Sequence, residues 1–204
     1  MIHKLDDFIK DRKSIVVFSV ARSGTHLIMQ YLLNNKYSEF HPNVATRGIE
    51  NIFNPPPTNS FVFAGHIQSV SFKDEFLKSG MKGIYISRNP LDVIVSQAFY
   101  IKDKEPPHPL HKLFQSLSYE ECMDIVIDGY DGMESIFEKY DGNDGWSKLD
   151  NVLHVKYEDL VKTICGVDYK YFFRSGKTGE WKNFKKVNWH KVYKLAEDRG
   201  YKVR

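Results

Sequence analysis

Four short apolar runs, alternating with stretches whose apolar positions recur at helical spacing, set the strongest limit on what this chain can fold into. The runs are Ser14–Ser19, Ser60–Phe63, Gly83–Ser87 and Val152–Tyr157. The helical stretches are Thr25–Asn34, Ser71–Lys78, Leu91–Lys102, Tyr119–Lys139 and a last one from about Trp189 to Arg199. Short strands separated by amphipathic helices form βαβ units, and βαβ units build a parallel sheet. The predicted fold is therefore α/β: three layers, with a mostly parallel central sheet flanked by helices. Two proline-rich segments, His41–Asn59 with "NPPPTN" and Asp103–His111 with "KEPPHPLH", are predicted loops, because proline removes a backbone donor and fixes φ. Loops at the carboxyl ends of parallel strands can cover a binding crevice. Ordinary surface connections explain either segment equally well.

The chain has 204 residues, 42% hydrophobic and 14% aromatic. That is enough for one globular domain over residues 1–204, with room for a small subdomain. The net charge of +3 suits an anionic small molecule and does not call for nucleic acid. The opening "MIHKLDDFIKDRK" is too charged for a signal peptide, and no apolar run approaches a membrane span. Cys122 and Cys165 are the only cysteines and lie in no metal-type cluster. The expectation is a reduced, cytoplasmic protein without disulfides.

Between the first run and the first helix stands the polar turn "SVARSGTH", Ser19 to His26. A helix N-terminus presents unpaired N–H groups and positive potential. Gly24 lets an anion approach those groups closely. Ser23 and Thr25 add hydroxyl donors, and Arg22 adds charge. A phosphate or sulfate site is one reading. An ordinary helix cap, with Ser23 or Thr25 capping and Gly24 easing the turn, is the other. The Walker pattern is not met: Thr25 stands where its lysine should be.

Three further segments bear on the choice. "GIYISRNPLDVIVSQ" is a strand, then Arg88-Asn89-Pro90, then a helix carrying Ser96 two turns on. Asn89 can cap that helix, with Pro90 in its first turn. "VLHVKYEDL" is a strand ending in Tyr157-Glu158-Asp159, and "FFRSGKTGEWKNF" is a basic, glycine-interrupted loop.

Together these segments resemble the sulfotransferase family that uses 3′-phosphoadenosine 5′-phosphosulfate. Ala21–His26 is similar to its P-[KR]-S-G-T-[TS] loop, and Arg88–Ser96 matches R-N-P-x-D-V-x-V-S throughout. Tyr157–Leu160 matches Y-E-D-[LM], and Arg174–Lys182 matches R-K-G-x-x-G-[DE]-W-K with Ser175 in place of lysine. The motifs stand in the family's order, over about Ile15 to Trp189.

The resemblance implies a P-loop nucleotide-binding-like fold and a site built residue by residue. Arg22, Ser23, Gly24 and Thr25 would hold the 5′-phosphosulfate, within reach of His26. Arg88 and Ser96 would hold the 3′-phosphate, joined by Arg174, Ser175 and Gly176. Arginine suits a phosphate because its planar fork donates two parallel hydrogen bonds. Tyr157 would lie near the adenine; packing in the core accounts for it equally well. Without the family match, Arg88 reads as an ion-pair partner of Asp92 and Ser96 as a helix hydroxyl bonded to its own backbone.

Transfer to a hydroxyl also needs a base, and histidine is the usual choice near neutral pH. Of eight histidines, His66 follows the second strand where the family carries K-T-H, so the resemblance makes His66 the catalytic base. Arg22 would neutralise charge on the leaving oxygen. No metal is implied.

Departures from the pattern are specific. Ala64 replaces the lysine of K-T-H, Leu27 the adenine-stacking tryptophan, and His26 a small hydroxyl residue. The segment before Arg174 is far shorter than in the animal cytosolic enzymes. The implied partner is a small acceptor with a hydroxyl or amine, with adenosine 3′,5′-bisphosphate as the nucleotide product. Acceptor identity and oligomeric state are not legible in the sequence. A binding protein for the bisphosphate without catalysis, and a P-loop kinase, are the competing classes.

Overall fold

The computed structural model describes residues 2–11, 13–39, 61–163, 178–201 and 203. In chain order the described elements are α1 (Ile2–Ile9), β1 (Ile15–Ser19), α2 (Thr25–Asn34), β2 (Ser38–Glu39), β3 (Phe61–Gly65), α3 (Ser69–Ser79) and β4 (Lys82–Ser87). They continue with α4 (Pro90–Lys104), α5 (His111–Ser116), α6 (Tyr119–Asp128), α7 (Ile136–Asp144), β5 (Val152–Lys156), α8 (Tyr157–Thr163) and α9 (Trp189–Glu197). Two 3₁₀ turns, Gly145–Lys148 and Glu180–Asn183, complete the set. The chain divides into two compact units, residues 1–87 with 142–173, and residues 88–141 with 174–204.

The first unit is a five-stranded sheet in the order β2-β3-β1-β4-β5, and every pairing is parallel. All five residues of β1 are buried, as a central strand covered on both faces requires. Its alternate side chains feed two cores. Ile15 and Val17 join Leu5, Leu27, Ile28, Leu32, Ile84 and Leu160 on the face covered by α1, α2 and α8. Val16 and Phe18 join Phe76, Tyr85, Trp146 and Val152 on the face covered by α3 and the first 3₁₀ turn. Three layers follow from this alternation.

Three elements of this unit are not foreseen from the sequence. α1 hides among charged residues, yet it buries Leu5 and Ile9. Its last carbonyls are satisfied by Tyr37 Oη at 3.1 Å from Ile9 O and Lys82 Nζ at 2.6 Å from Phe8 O. β2 has two residues, too few to show a period. Tyr157, expected to end the last strand, instead starts α8.

In the second unit α4 is buried on most of its circumference. Asn89 caps it, its Oδ1 accepting from Leu91 N at 3.0 Å, with Pro90 in the first turn. Lys102 Nζ donates to the carbonyls of Phe114, Gln115 and Leu117 at 2.7, 3.1 and 2.6 Å, which closes the end of α5. The expected single helix over Tyr119–Lys139 is two helices. Gly129, at φ 80°, ends α6, and Tyr130 and Met133 pair across a tight turn. α7 then restarts with a capping box: Ser135 N donates to Glu138 Oε2 at 2.7 Å and Glu138 N to Ser135 Oγ at 3.2 Å. The motif S-x-x-E at Ser135 is the sequence signal that marks this restart.

One turn governs how β1 hands over to α2. Gly24 opens α2 at φ 104°. A Cβ placed there would sit 2.5 Å from Tyr157 Cδ2 and 3.1 Å from Ile86 Cδ1. Conformation and space both require glycine. Gly24→Ala is predicted to lower stability by about 2–5 kcal/mol, from the left-handed backbone plus the overpacking. Thermal unfolding should register a fall of several degrees. An unchanged melting temperature would mean the turn is not held against Tyr157.

Candidate active site

The site is built where adjacent parallel strands end. β1 ends at Ser19, and the chain turns through Val20 to Gly24 before α2. Ser23 N donates to Val20 O at 3.1 Å, which tightens the turn. Arg22 sits at φ 69°, a left-handed conformation that costs a non-glycine residue about 1–2 kcal/mol. Such backbones cluster at ligand clamps. The side chain of Ser23 is fully buried, and its Oγ has no hydrogen-bond partner among the described residues. A buried hydroxyl without a partner is costly. An anion at the N-terminus of α2, which opens without a side-chain cap, would relieve that cost. Thr25 Oγ1 lies 2.6 Å from Ser19 Oγ, tying the first turn of α2 back to the strand.

β3 pairs beside β1, with Phe18 opposite Gly65. The residue that follows Gly65 is His66, so register alone carries its side chain to the end of β1. His66 Nδ1 lies 2.9 Å from Ser19 O and 3.3 Å from Ser19 Oγ. A carbonyl oxygen only accepts, so Nδ1 carries the proton and, in the neutral ring, Nε2 is the basic nitrogen. Two other histidines are committed differently. His154 Nε2 meets Ser87 Oγ at 2.7 Å, and burial together with Lys156 pushes its pKa down. His111 Nδ1 donates to Ile101 O at 2.6 Å.

The described residues thus bring Arg22, Ser23, Gly24, Thr25 and His66 together in the first unit. His26 is exposed on the first turn of α2. Tyr157 is 2% exposed, in the core under Gly24, where its ring supports the turn. Ser19 was not singled out by sequence reasoning. The signal available was a small polar residue at the carboxyl end of a buried apolar strand.

In the second unit Tyr140 Oη donates to Arg88 O at 2.6 Å, Asn89 Nδ2 to Val203 O at 3.3 Å, and Asn89 caps α4 as above. Ser96 is 6% exposed on α4. Asp92 is nearly buried, and both its oxygens accept from Gly179 N, at 2.9 and 2.8 Å. This places the end of the basic glycine loop on the first turn of α4, a role for Asp92 that the motif did not reveal. Arg174, Ser175 and Gly176 lie outside the described residues, as do His41–Asn59 and Cys165. Phe99 stacks on Tyr119 at 4.0 Å, and Phe114 is fully buried. Among the described residues no group of three His, Cys, Asp or Glu side chains is placed to hold a metal ion, and no helix is long and apolar enough to cross a membrane.

Comparison with known proteins bears on this arrangement. A 3-alpha-hydroxysteroid sulfotransferase of Cavia porcellus is 31% identical over 104 residues, covering 50% of this chain and 33% of the relative. The chain therefore spans about a third of the length of that curated relative. The mouse sulfotransferase SULT7A1, solved in complex with PAP, superposes with a TM-score of 0.68 at 18% identity, covering 92% of this chain and 84% of its own. A retinol dehydratase in complex with androsterone and inactive cofactor PAP gives 0.60 at 16% identity, covering 97% and 87%. At such identities the likeness is one of fold. Residues 12–167 match the sulfotransferase domain family, most of the chain and the whole of β1 to α8, and the chain belongs to that family.

Proposed function

We propose that this chain is a sulfotransferase that moves a sulfuryl group from 3′-phosphoadenosine 5′-phosphosulfate to a hydroxyl or amine of a small acceptor. One observation carries the reading: a histidine whose tautomer is set by a strand-end carbonyl stands beside a helix-opening turn with a buried hydroxyl that has no partner among the described residues. Family membership and the PAP complexes of the fold relatives support the donor. The bound donor supplies an activated sulfuryl group whose leaving group is a nucleotide phosphate.

The chain's own residues then have distinct tasks. His66 Nε2 takes the acceptor's proton as the oxygen or nitrogen attacks, and Nδ1–H to Ser19 O steadies the imidazolium that forms. Arg22, Ser23 Oγ and the first-turn N–H groups of α2 hold the phosphosulfate and the charge that develops as the bond breaks. Thr25 Oγ1 is shared with Ser19 and orders the turn. Arg88 and Ser96, with Arg174, Ser175 and Gly176, keep the 3′-phosphate role that the motifs give them. The names of the relatives make hydroxysteroids and retinol the first acceptors to test. Ala64, exposed on β3, supplies no cation where the family pattern has lysine. That favours a second reading, a bisphosphate-binding protein without catalysis. A transfer assay with labelled donor separates the two, and thermal stabilisation by adenosine 3′,5′-bisphosphate but not by ATP with magnesium sets both apart from a kinase.

Three variants test the assignments. Arg88→Ala should weaken adenosine 3′,5′-bisphosphate about tenfold to hundredfold, the scale of a charge-assisted hydrogen bond, and adenosine 5′-phosphate much less. Equal losses in titration calorimetry would remove Arg88 from the 3′-phosphate. Arg22→Ala should slow transfer more than it weakens the bisphosphate, with Lys at position 22 restoring part of the rate; a wild-type rate would refute the role. His66→Ala should fold, bind the bisphosphate nearly as wild type does, and lose roughly 10²–10⁴-fold in transfer to an aliphatic alcohol. The deficit should shrink for acidic phenols, which ionise without help. A full rate with every acceptor would make His66 structural.

A further inference from the structure

The hydrogen bond from His66 to Ser19 depends on two peptides keeping their places: the end of β1 and the segment that leaves β3. Neither is anchored by the turn alone. Trp146, in the 3₁₀ turn before β5, touches both. Its ring lies flat on Phe18, centroids 3.8 Å apart and planes 8° apart, and Phe18 precedes Ser19. Its Nε1 donates to Ile67 O at 2.7 Å, and Ile67 follows His66. Trp146 is fully buried, and Phe76 closes against both rings edge-on, at 5.1 Å from Phe18 and 5.4 Å from Trp146.

A second tie runs parallel to the first. Ser69 Oγ donates to Gly142 O at 2.9 Å, and a Cβ at Gly145 would fall 2.4 Å from Ser69 Oγ. The stretch from 142 to 146 is therefore pressed onto residues 67–69 at several points. We infer that Trp146 is a positioning residue for His66: one indole clamps the residue before Ser19 with its face and the residue after His66 with its N–H, and so holds the Nδ1–H tautomer that leaves Nε2 basic. The value of this tautomer to catalysis rests on the proposed sulfuryl transfer; its existence does not.

Ile67 O is an acceptor at a buried tryptophan edge, and without its donor the peptide loses a reason to face that way. Ile67 O lies in the peptide that joins Ile67 to Gln68, one peptide beyond His66, so losing its anchor loosens the segment that carries His66 and weakens Nδ1–H···O. The ring then samples both tautomers, and Nε2 is basic only part of the time.

The test is Trp146→Phe, which keeps an aromatic face for Phe18 and removes the N–H. Histidine labelled with ¹⁵N, assigned by comparison with His66→Gln, reports the tautomer by chemical shift. The wild-type protein should show Nδ1–H for His66 at neutral pH, and Trp146→Phe a mixture. In the transfer assay kcat should fall about tenfold, with bisphosphate affinity within twofold. Ser69→Ala, which cuts the parallel tie and leaves the aromatic stack intact, should shift the tautomer in the same direction. If Trp146→Phe fails to fold by circular dichroism, benzothienylalanine at position 146, the same ring shape without the N–H, takes its place. His66 retaining its wild-type tautomer in a folded protein that lacks this N–H overturns the inference whatever the rate. The general-base reading fails separately, if His66→Ala transfers at full rate while the tautomer behaves as stated here.

Discussion

The hydrogen bond from His66 Nδ1 to the carbonyl of Ser19 joins two residues 47 apart in the chain. It forms because β1 and β3 are parallel neighbours with Phe18 opposite Gly65. In a parallel sheet all strands end on the same side, so the residues that follow them gather at one edge. The turn that opens α2 leaves the end of β1 and His66 leaves the end of β3. A shift of one residue in the β1–β3 register would send His66 to the opposite face. Both faces of β1 are buried, by Ile15 and Val17 on one side and Val16 and Phe18 on the other. A slip would exchange these two sets, and the register is held against that by the shapes of both cores.

The turn itself trades stability for a binding geometry. Arg22 and Gly24 both lie in the left-handed region, and Ser23 is buried with its hydroxyl unpartnered among the described residues. Glycine adopts this conformation freely, whereas the left-handed Arg22 and the buried hydroxyl are each unfavourable in the isolated protein. They are tolerated because Tyr157 and Ile86 pack directly beneath Gly24 and because Thr25 bonds to Ser19. On the proposed function, a turn strained in this way leaves less ordering to be done when the phosphosulfate binds.

The second unit shows how a motif residue can act through the backbone. Asp92 belongs to the R-N-P-x-D pattern, and its carboxylate meets a backbone amide. It accepts twice from the amide of Gly179, near the end of the basic glycine loop. The first turn of α4 and that loop are thereby linked, although 87 residues separate them. Tyr140 adds a bond to the carbonyl of Arg88, so the backbone that carries Arg88 is held from α7 as well as by the Asn89 cap.

The α/β class, the strand–turn–helix around Ser23 and the R-N-P helix start were legible in the sequence because each is local. Apolar periodicity, a glycine in a polar turn, and Asn-Pro before a helix act within a few residues. The break at Gly129 was also local, marked by Asp131-Gly132 and the S-x-x-E of Ser135. It was missed because the apolar spacing runs on across it. β2, α1 and the roles of Ser19, Asp92, Trp146 and Tyr157 could not be read this way. Each owes its role to a partner distant in the chain: Ser19 to His66, Asp92 to Gly179, Trp146 to Phe18 and Ile67, Tyr157 to Gly24. The sequence by itself determined which residues have the chemistry to hold an anion and take a proton. Only the tertiary structure decided which histidine nitrogen carries the proton and which buried rings hold it there, because hydrogen-bond direction and packing depend on which strand lies beside which.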